Sequence, residues 1–335
     1  MSLIGFGDLA QSHLLRHHMT QAKADLARLS QEVTTGRAAD TPRHLSGDMG
    51  PLLAVDNTLA RLDGYGAVTR ELGLFSEAMQ VGLATISAMA LEAANNLISA
   101  SGTAAAAHVN TAASAAHSAL RSTMSTLNTR FGDRTLFAGI DTSGQAITTP
   151  DAMMSALETA ILTAGASDVS SVEAAIDTWF AAPGGYQGTA YLGSDPMSPV
   201  PVAAGEAVAL DVTADDPALR ETLKGLAMAA LVDRGMFSGQ HSLQKDLAQR
   251  AGEVLMAGET DRAHLAARLG GLQAQVDRAQ TRNESEAAAL GIARTGMVEI
   301  DPYETATRLQ DAETQLELIY TLTARISRLS LADYL

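Results

Sequence analysis

Three histidines stand close together near the start of the chain, His13, His17 and His18. On a helix, positions 13 and 17 lie one turn apart on the same face, a spacing at which two imidazoles can share a metal ion. A companion ligand is needed, and only Asp8 is near; no His-Glu-x-x-His pattern occurs. Such histidines also suit a polar helix flank or a contact sensitive to pH near neutrality. We expect the polar flank. The adjacent pair Asp215-Asp216 has the residue types for acid–base work, but it precedes Pro217 and reads as a helix cap compensating the dipole. Asn283-Glu284-Ser285 fits a glycosylation sequon inside a helical pattern, where chance is the better account. Gly184-Gly185 and Gly64-Tyr65-Gly66 lack the strand before and the Lys-Ser/Thr after that would make a phosphate loop. No catalytic, cofactor-binding or metal-ligating residue is therefore expected.

With chemistry unexpected, composition bounds the rest. The chain has 335 residues, 46% apolar but only 4% aromatic with one Trp, which suits narrow helix–helix seams. Its net charge of −15 argues against nucleic acid or an anionic membrane as partner. The absence of cysteine excludes disulfides, thiolate metal sites and cysteine catalysis. The first residues, MSLIGFGDLAQSHLLRHHMTQ, lack the basic leader and apolar run of a cleaved signal, and no window reads as a run of about 20 apolar residues.

Apolar residues recur at alternating spacings of three and four. Leu15, Met19, Ala22, Leu26, Leu29 and Val33 form one such seam, ending at Thr34-Thr35-Gly36. A break from Ala38 to Pro51 follows, in which Thr41-Pro42 fits the start of a short helix. Further runs carry Leu72, Phe75, Met79, Ile86, Met89 and Ala93, then Leu120, Met124, Leu127 and Phe131. RTLFAGI at 134–140 reads as a short strand after a turn. Thr149-Pro150 and Asp216-Pro217 read as helix starts. The rhythm returns from Leu265 to Ile300, interrupted at Asn283 and Glu286. Asp301, Pro302 and Glu304 then match a capping box before a last seam of Leu309, Ala312, Leu316, Ile319, Thr323 and Ile326.

A single stripe on a long helix cannot bury itself, and packing supplies most helix stability. The economical solution pairs the first seam with the last, antiparallel. The expected fold class is mainly α, an elongated antiparallel helical bundle or coiled coil built from both chain ends with a small mixed α/β central insert. The expected domains are 1–35 with 301–335 as a terminal coiled-coil core, 44–140 with 236–300 as a helical bundle, and 141–235 as a small mixed outer domain. A two-helix pair leaves apolar flank exposed, so the terminal seams are expected to meet other subunits.

At this point the residues resemble a known family. LARLSQEVTTGRAADTP, RTLFAGI and the ending RISRLSLADYL, in this order, resemble the bacterial flagellin-type proteins, and within them the hook–filament junction proteins. The resemblance covers about 1–140 and 240–335. It departs at Thr41-Pro42-Arg43-His44, where family linkers carry an Asp-Asp element. It implies a structural protein of the flagellum, exported by the type III route without a cleaved signal and folding as it assembles. Implied partners are copies of itself in a ring, a hook-associated protein on the hook side, flagellin on the filament side, and an export chaperone. The chaperone would hold the stripe of Leu309, Leu316, Ile319 and Ile326 in a groove. Two other readings stand beside it: a filament flagellin, and a cytoplasmic coiled-coil adaptor.

Overall fold

The structure is a computed structural model. It describes residues 6–102, 105–141, 143–181 and 183–332. The elements in chain order begin with helices α1 (Phe6–Thr35), α2 (Thr41–His44), α3 (Gly50–Ser101) and α4 (Ala106–Leu127). The short strands β1 (Arg130–Phe131) and β2 (Arg134–Thr135) follow, then α5 (Pro150–Thr163), α6 (Val169–Phe180) and one π-helical turn, Tyr186–Ala190. After a hairpin of β3 (Val200–Ala203) and β4 (Glu206–Val208) come α7 (Pro217–Asp233), α8 (His241–Ala257), α9 (Glu259–Val298) and α10 (Pro302–Ala332). The fold is mainly α, as expected.

Helix starts follow side-chain chemistry. The Thr149 and Asp216 side chains accept from the backbone N–H groups of Ala152 (3.4 Å) and Ala218 (3.1 Å), each with Pro at the first helical position. At α2 the cap is Asp40, one residue earlier than Thr41, because its carboxylate reaches the Arg43 N–H at 3.1 Å. Asp168 caps α6 in a reciprocal box with Ser171. The N–H and hydroxyl of Ser171 that bond its carboxylate hold Asp168 below the usual carboxylate range.

The described chain forms two compact units, residues 1–63 with 285–335 and residues 64–284. In the first, α1 packs against α10, and the start of α3 and the end of α9 add Leu52, Leu62, Val298 and Ile300 as buried residues.

The second unit is organised around α7, which packs on α4, α8 and α6. From Leu226 to Val232 every residue is buried. Such a helix has no outer face and therefore no amphipathic phase. Its neighbours come close because facing residues are small. A Cβ at Gly225 would lie 2.7 Å from Cγ of Leu255 on α8, and one at Gly252 would lie 2.8 Å from Cγ1 of Ile98 on α3. Residues 141–235 share this core rather than forming one of their own: Met153, Met154, Ile176, Trp179 and Tyr186 lie in the same buried cluster as Ile86, Leu120 and Leu247. Buried Arg262 donates to the carbonyl of Leu255 at 2.9 Å, at the end of α8 where carbonyls lack partners.

RTLFAGI pairs as a strand only at Arg134–Thr135. Beyond that the segment plugs the core, with Phe137 wholly buried over Gly82 of α3, where a Cβ would come within 3.3 Å of its ring. The turn at Gly139 has φ +71° and no room for a Cβ against the Asp195 carbonyl. Asn283, read as a seam interruption, is buried and donates to the Val202 carbonyl at 2.8 Å, fixing the β3–β4 hairpin onto α9. Its amide is engaged in the folded unit, which leaves the sequon as coincidence.

By length and composition α3 is apolar enough to cross a bilayer, with an 18-residue window of mean hydropathy 1.3, contrary to the expectation of no such window. Its inward residues, Ile86, Ala90, Ala94 and Leu97, are buried in the protein core.

Replacing Gly225 by Val forces a branched side chain into the α7–α8 contact. We expect it to destabilise the second unit by about 1–3 kcal/mol, read as a lower denaturation midpoint at unchanged m-value.

Candidate assembly surface

Alternating spacing places Leu15, Met19, Ala22, Leu26, Leu29 and Val33 along one side of α1. The same rule aligns Leu309, Ala312, Leu316, Ile319 and Thr323 on α10. Ala22, Leu29 and Ala312 are buried; Leu15, Met19, Leu26, Leu309, Leu316, Ile319 and Thr323 are half-buried; Val33 is 38% exposed. The side chain of Ile326 lies outside the described residues. Two contacts fix the sense of the pair. Lys23 places its ammonium 5.7 Å from the ring centre of Tyr320, and Arg37 pairs with Glu299 in an antiparallel bridge. As numbering rises along α1 it falls along α10, so the helices run antiparallel.

The breaks beyond the two seams meet each other. Gly36, at φ +68°, ends α1 in the left-handed conformation that glycine adopts without strain. The chain then turns so that Ala38 N–H donates to the Val298 carbonyl at 2.9 Å and Ile300 N–H donates to the Gly36 carbonyl at 3.2 Å. Glu32 supports the turn from within α1. Buried to 7% exposure, its carboxylate accepts from the Ala39 N–H at 3.1 Å and from Arg28 at 3.2 Å. The Arg28 guanidinium is raised above its ordinary value, first by its hydrogen bond to Asp25 and then by Glu32. On the other strand Asp301 caps α10, accepting from the Tyr303 N–H at 2.8 Å and the Glu304 N–H at 3.1 Å. The expected capping box closes on that side only, since the Glu304 carboxylate takes Arg308 instead. Arg294 donates to Asp56 at 2.6 Å between α9 and α3 in the same unit.

Sequence reading missed this clamp. The available signals were Glu32, a lone acid beside Leu29 on the apolar side, and Gly36 before a polar break. Neither announces its partner.

The outer flank stays apolar. Leu14 on α1 and Leu318, Tyr320 and Leu322 on α10 are 47–64% exposed. Leu318 and Leu322, one helical turn apart, share one side of α10, and exposed apolar residues so placed can take part in a protein contact.

The groups that suggested chemistry are used otherwise. His13, His17 and His18 are exposed, and among the described residues no three His, Asp or Glu side chains gather in a metal-binding group. Asp216 is both the cap of α7 and the partner of Arg268 at 2.5 Å, while Asp215 accepts from Gln187 at 2.6 Å beside Arg220.

Residues 258–335, the whole of α9 and of α10, match the family model of the bacterial flagellin C-terminal helical region. The C-terminal arm is thus similar to the C-terminal helical region of flagellins. A solved structure described as a flagellar hook-associated protein from Vibrio parahaemolyticus is similar in fold. Its TM-score is 0.50 at 13% identity, with 73% of this chain and 95% of that chain covered. No curated protein sequence matches the chain.

The clamp between Gly36–Ala38 and Val298–Ile300 depends on the left-handed conformation of Gly36. Gly36→Val puts a branched residue at φ +68°, costing roughly 1–2 kcal/mol. We expect the Ala38 and Ile300 amides to exchange hydrogen about 5–30-fold faster, with helix content by circular dichroism unchanged.

Proposed function

We propose that this protein is a structural, non-catalytic component of the bacterial flagellum, seated extracellularly where hook meets filament. It leaves the cell unfolded through the type III export channel with its N-terminus uncleaved. Its α1 and α10 arms then order fully when neighbouring copies cover the apolar flank of Leu14, Leu318, Tyr320 and Leu322. The ordering entropy of a two-helix arm is offset only by that added burial. In the ring so formed, the seam residues of both arms build the inner contacts. A hook-associated protein adjoins one side and flagellin the other. Before export, a chaperone holds α10 by Leu309, Leu316, Ile319 and Ile326, an amphipathic helix in a groove.

One observation carries this reading: a C-terminal arm of flagellin type, paired antiparallel with α1 and left apolar on its outer side. The fold shared with a protein described as hook-associated supports the junction over the filament. The same family match also favours a second reading, the filament flagellin itself, because that region is the one named.

Two experiments separate the possibilities. Changing Leu316 and Ile319 together to Asp puts two charges into the half-buried seam. Polymerisation should be lost while helix content stays within about a tenth of the parent's, since most helix lies outside α10. Normal polymerisation of the double variant would remove the arm from the mechanism. Deletion of the gene in its host should leave hooks without filaments and flagellin shed into the medium. Loss of filaments without shed flagellin would instead identify the filament subunit. Normal motile filaments would return the chain to a coiled-coil adaptor.

A further inference from the structure

Away from the arms, α3 contains three glycines that its packing does not require. Gly64, Gly66 and Gly73 lie inside the helix, and a Cβ on any of them would meet nothing within 4 Å. Gly82 on the same helix is different, since a Cβ there would lie 3.3 Å from the Phe137 ring. A helical glycine without a close neighbour gives up stability relative to alanine and gains only backbone freedom.

The same stretch is lightly held. Between Leu62 and Leu72 the only buried residue of α3 is Thr69. A segment with few buried apolar contacts opens easily. The carbonyls of Gly66 and Gly73 are also shared with side chains. Gly66 accepts from the Thr69 hydroxyl at 3.3 Å and from Arg70 Nε at 2.9 Å, and Gly73 accepts from the Ser76 hydroxyl at 3.0 Å. Side chains that bond the carbonyls of the helical ladder are a cause of helix bends. Beside Gly73 lies an open groove of about 630 Å³. It is lined by Leu74 and Glu77 of α3 and by Gln273 and Asp277 of α9, and it leaves α3 room on that side.

We propose that α3 carries a bending joint from Gly64 to Gly73, and that the joint is used when the protein assembles. α3 and α9 are the helices through which the chain passes from residues 1–63 into 64–284 and from there into 285–335. The main buried cluster begins on α3 only at Phe75, so a bend before it leaves that core packed. A soft stretch of this kind absorbs mismatch between neighbouring copies. Only the use in assembly rests on the function proposed above; the joint itself rests on the helix.

The chain has no cysteine, so introduced pairs can be spin-labelled without background. Asn57→Cys with Glu77→Cys spans the three glycines at about 30 Å along a straight helix, and Glu77→Cys with Asn95→Cys spans the packed part of α3 at about 27 Å. All three positions are exposed. In the dilute full chain the first pair should give the wider distance distribution. Gly64→Ala, Gly66→Ala and Gly73→Ala together should narrow it to the width of the second pair. The same triple variant should exchange its amides between Ala67 and Leu74 about 5–30-fold more slowly, and should polymerise more slowly than the parent. Equal widths for the two pairs in the parent, or no narrowing in the variant, would overturn the joint. Narrowing with polymerisation at the parent's rate would overturn its use in assembly. A parent that does not polymerise at all would overturn the proposed function and this use with it, while the two widths still decide the joint.

Discussion

The antiparallel pairing of α1 with α10 is the constraint that gives the first unit its form. Each helix carries an apolar stripe that it cannot bury by itself, so neither has reason to persist alone. Two of the three buried seam positions are small: Ala22 and Ala312 are buried with Leu29, beside half-buried Leu26, Leu309 and Leu316. A seam with alanine at buried positions brings the backbones close but removes less apolar area than one made of leucine throughout. The pair therefore needs its ends fixed by something more directional. The bridge between Gly36–Ala38 and Val298–Ile300 supplies it, with Glu32 bonding the strand from inside the helix.

The second unit solves the same problem differently. Around α7 the burial is complete, and closeness comes from Gly225, Gly252 and a run of alanines. Polar groups inside it are used to fix register. Asn283 holds the hairpin by the Val202 carbonyl, Arg262 caps α8, and the Tyr186 hydroxyl donates to the Ala214 carbonyl at 2.7 Å. Burial pushes the Tyr186 phenol well above its ordinary range, so it remains a neutral donor at any physiological pH.

Periodicity made the seams legible, because Leu15 to Val33 and Leu309 to Thr323 follow a rule that depends on local spacing alone. Caps were legible for the same reason: Thr149, Asp216 and Asp301 act on N–H groups two or three residues away. What escaped was set by distant partners. The run GLAMAALV of α7 is apolar on every side, so it gave no phase to follow and was grouped with the segment around it. RTLFAGI has strand-like composition, but Phe137 is drawn into the space above Gly82, and only two residues remain to pair. The clamp joins residues whose sequence separation hides the pairing.

The flank residues pose a last physical question. Tyr320 is 47% exposed, yet Lys23 lies over its ring, which ties one side of the apolar surface back to α1. Among the described residues, Leu318 and Leu322, one helical turn apart, and Leu14 stay largely exposed. A polar replacement at these positions would cost the isolated pair almost nothing, since they already face water. Leucine at these positions, on an arm whose inner stripe is paired, is therefore a cost in solubility without a gain in the folded monomer. That imbalance is removed if a second apolar surface closes over the arm, and the same closure would add the buried area that the alanine-centred seam lacks.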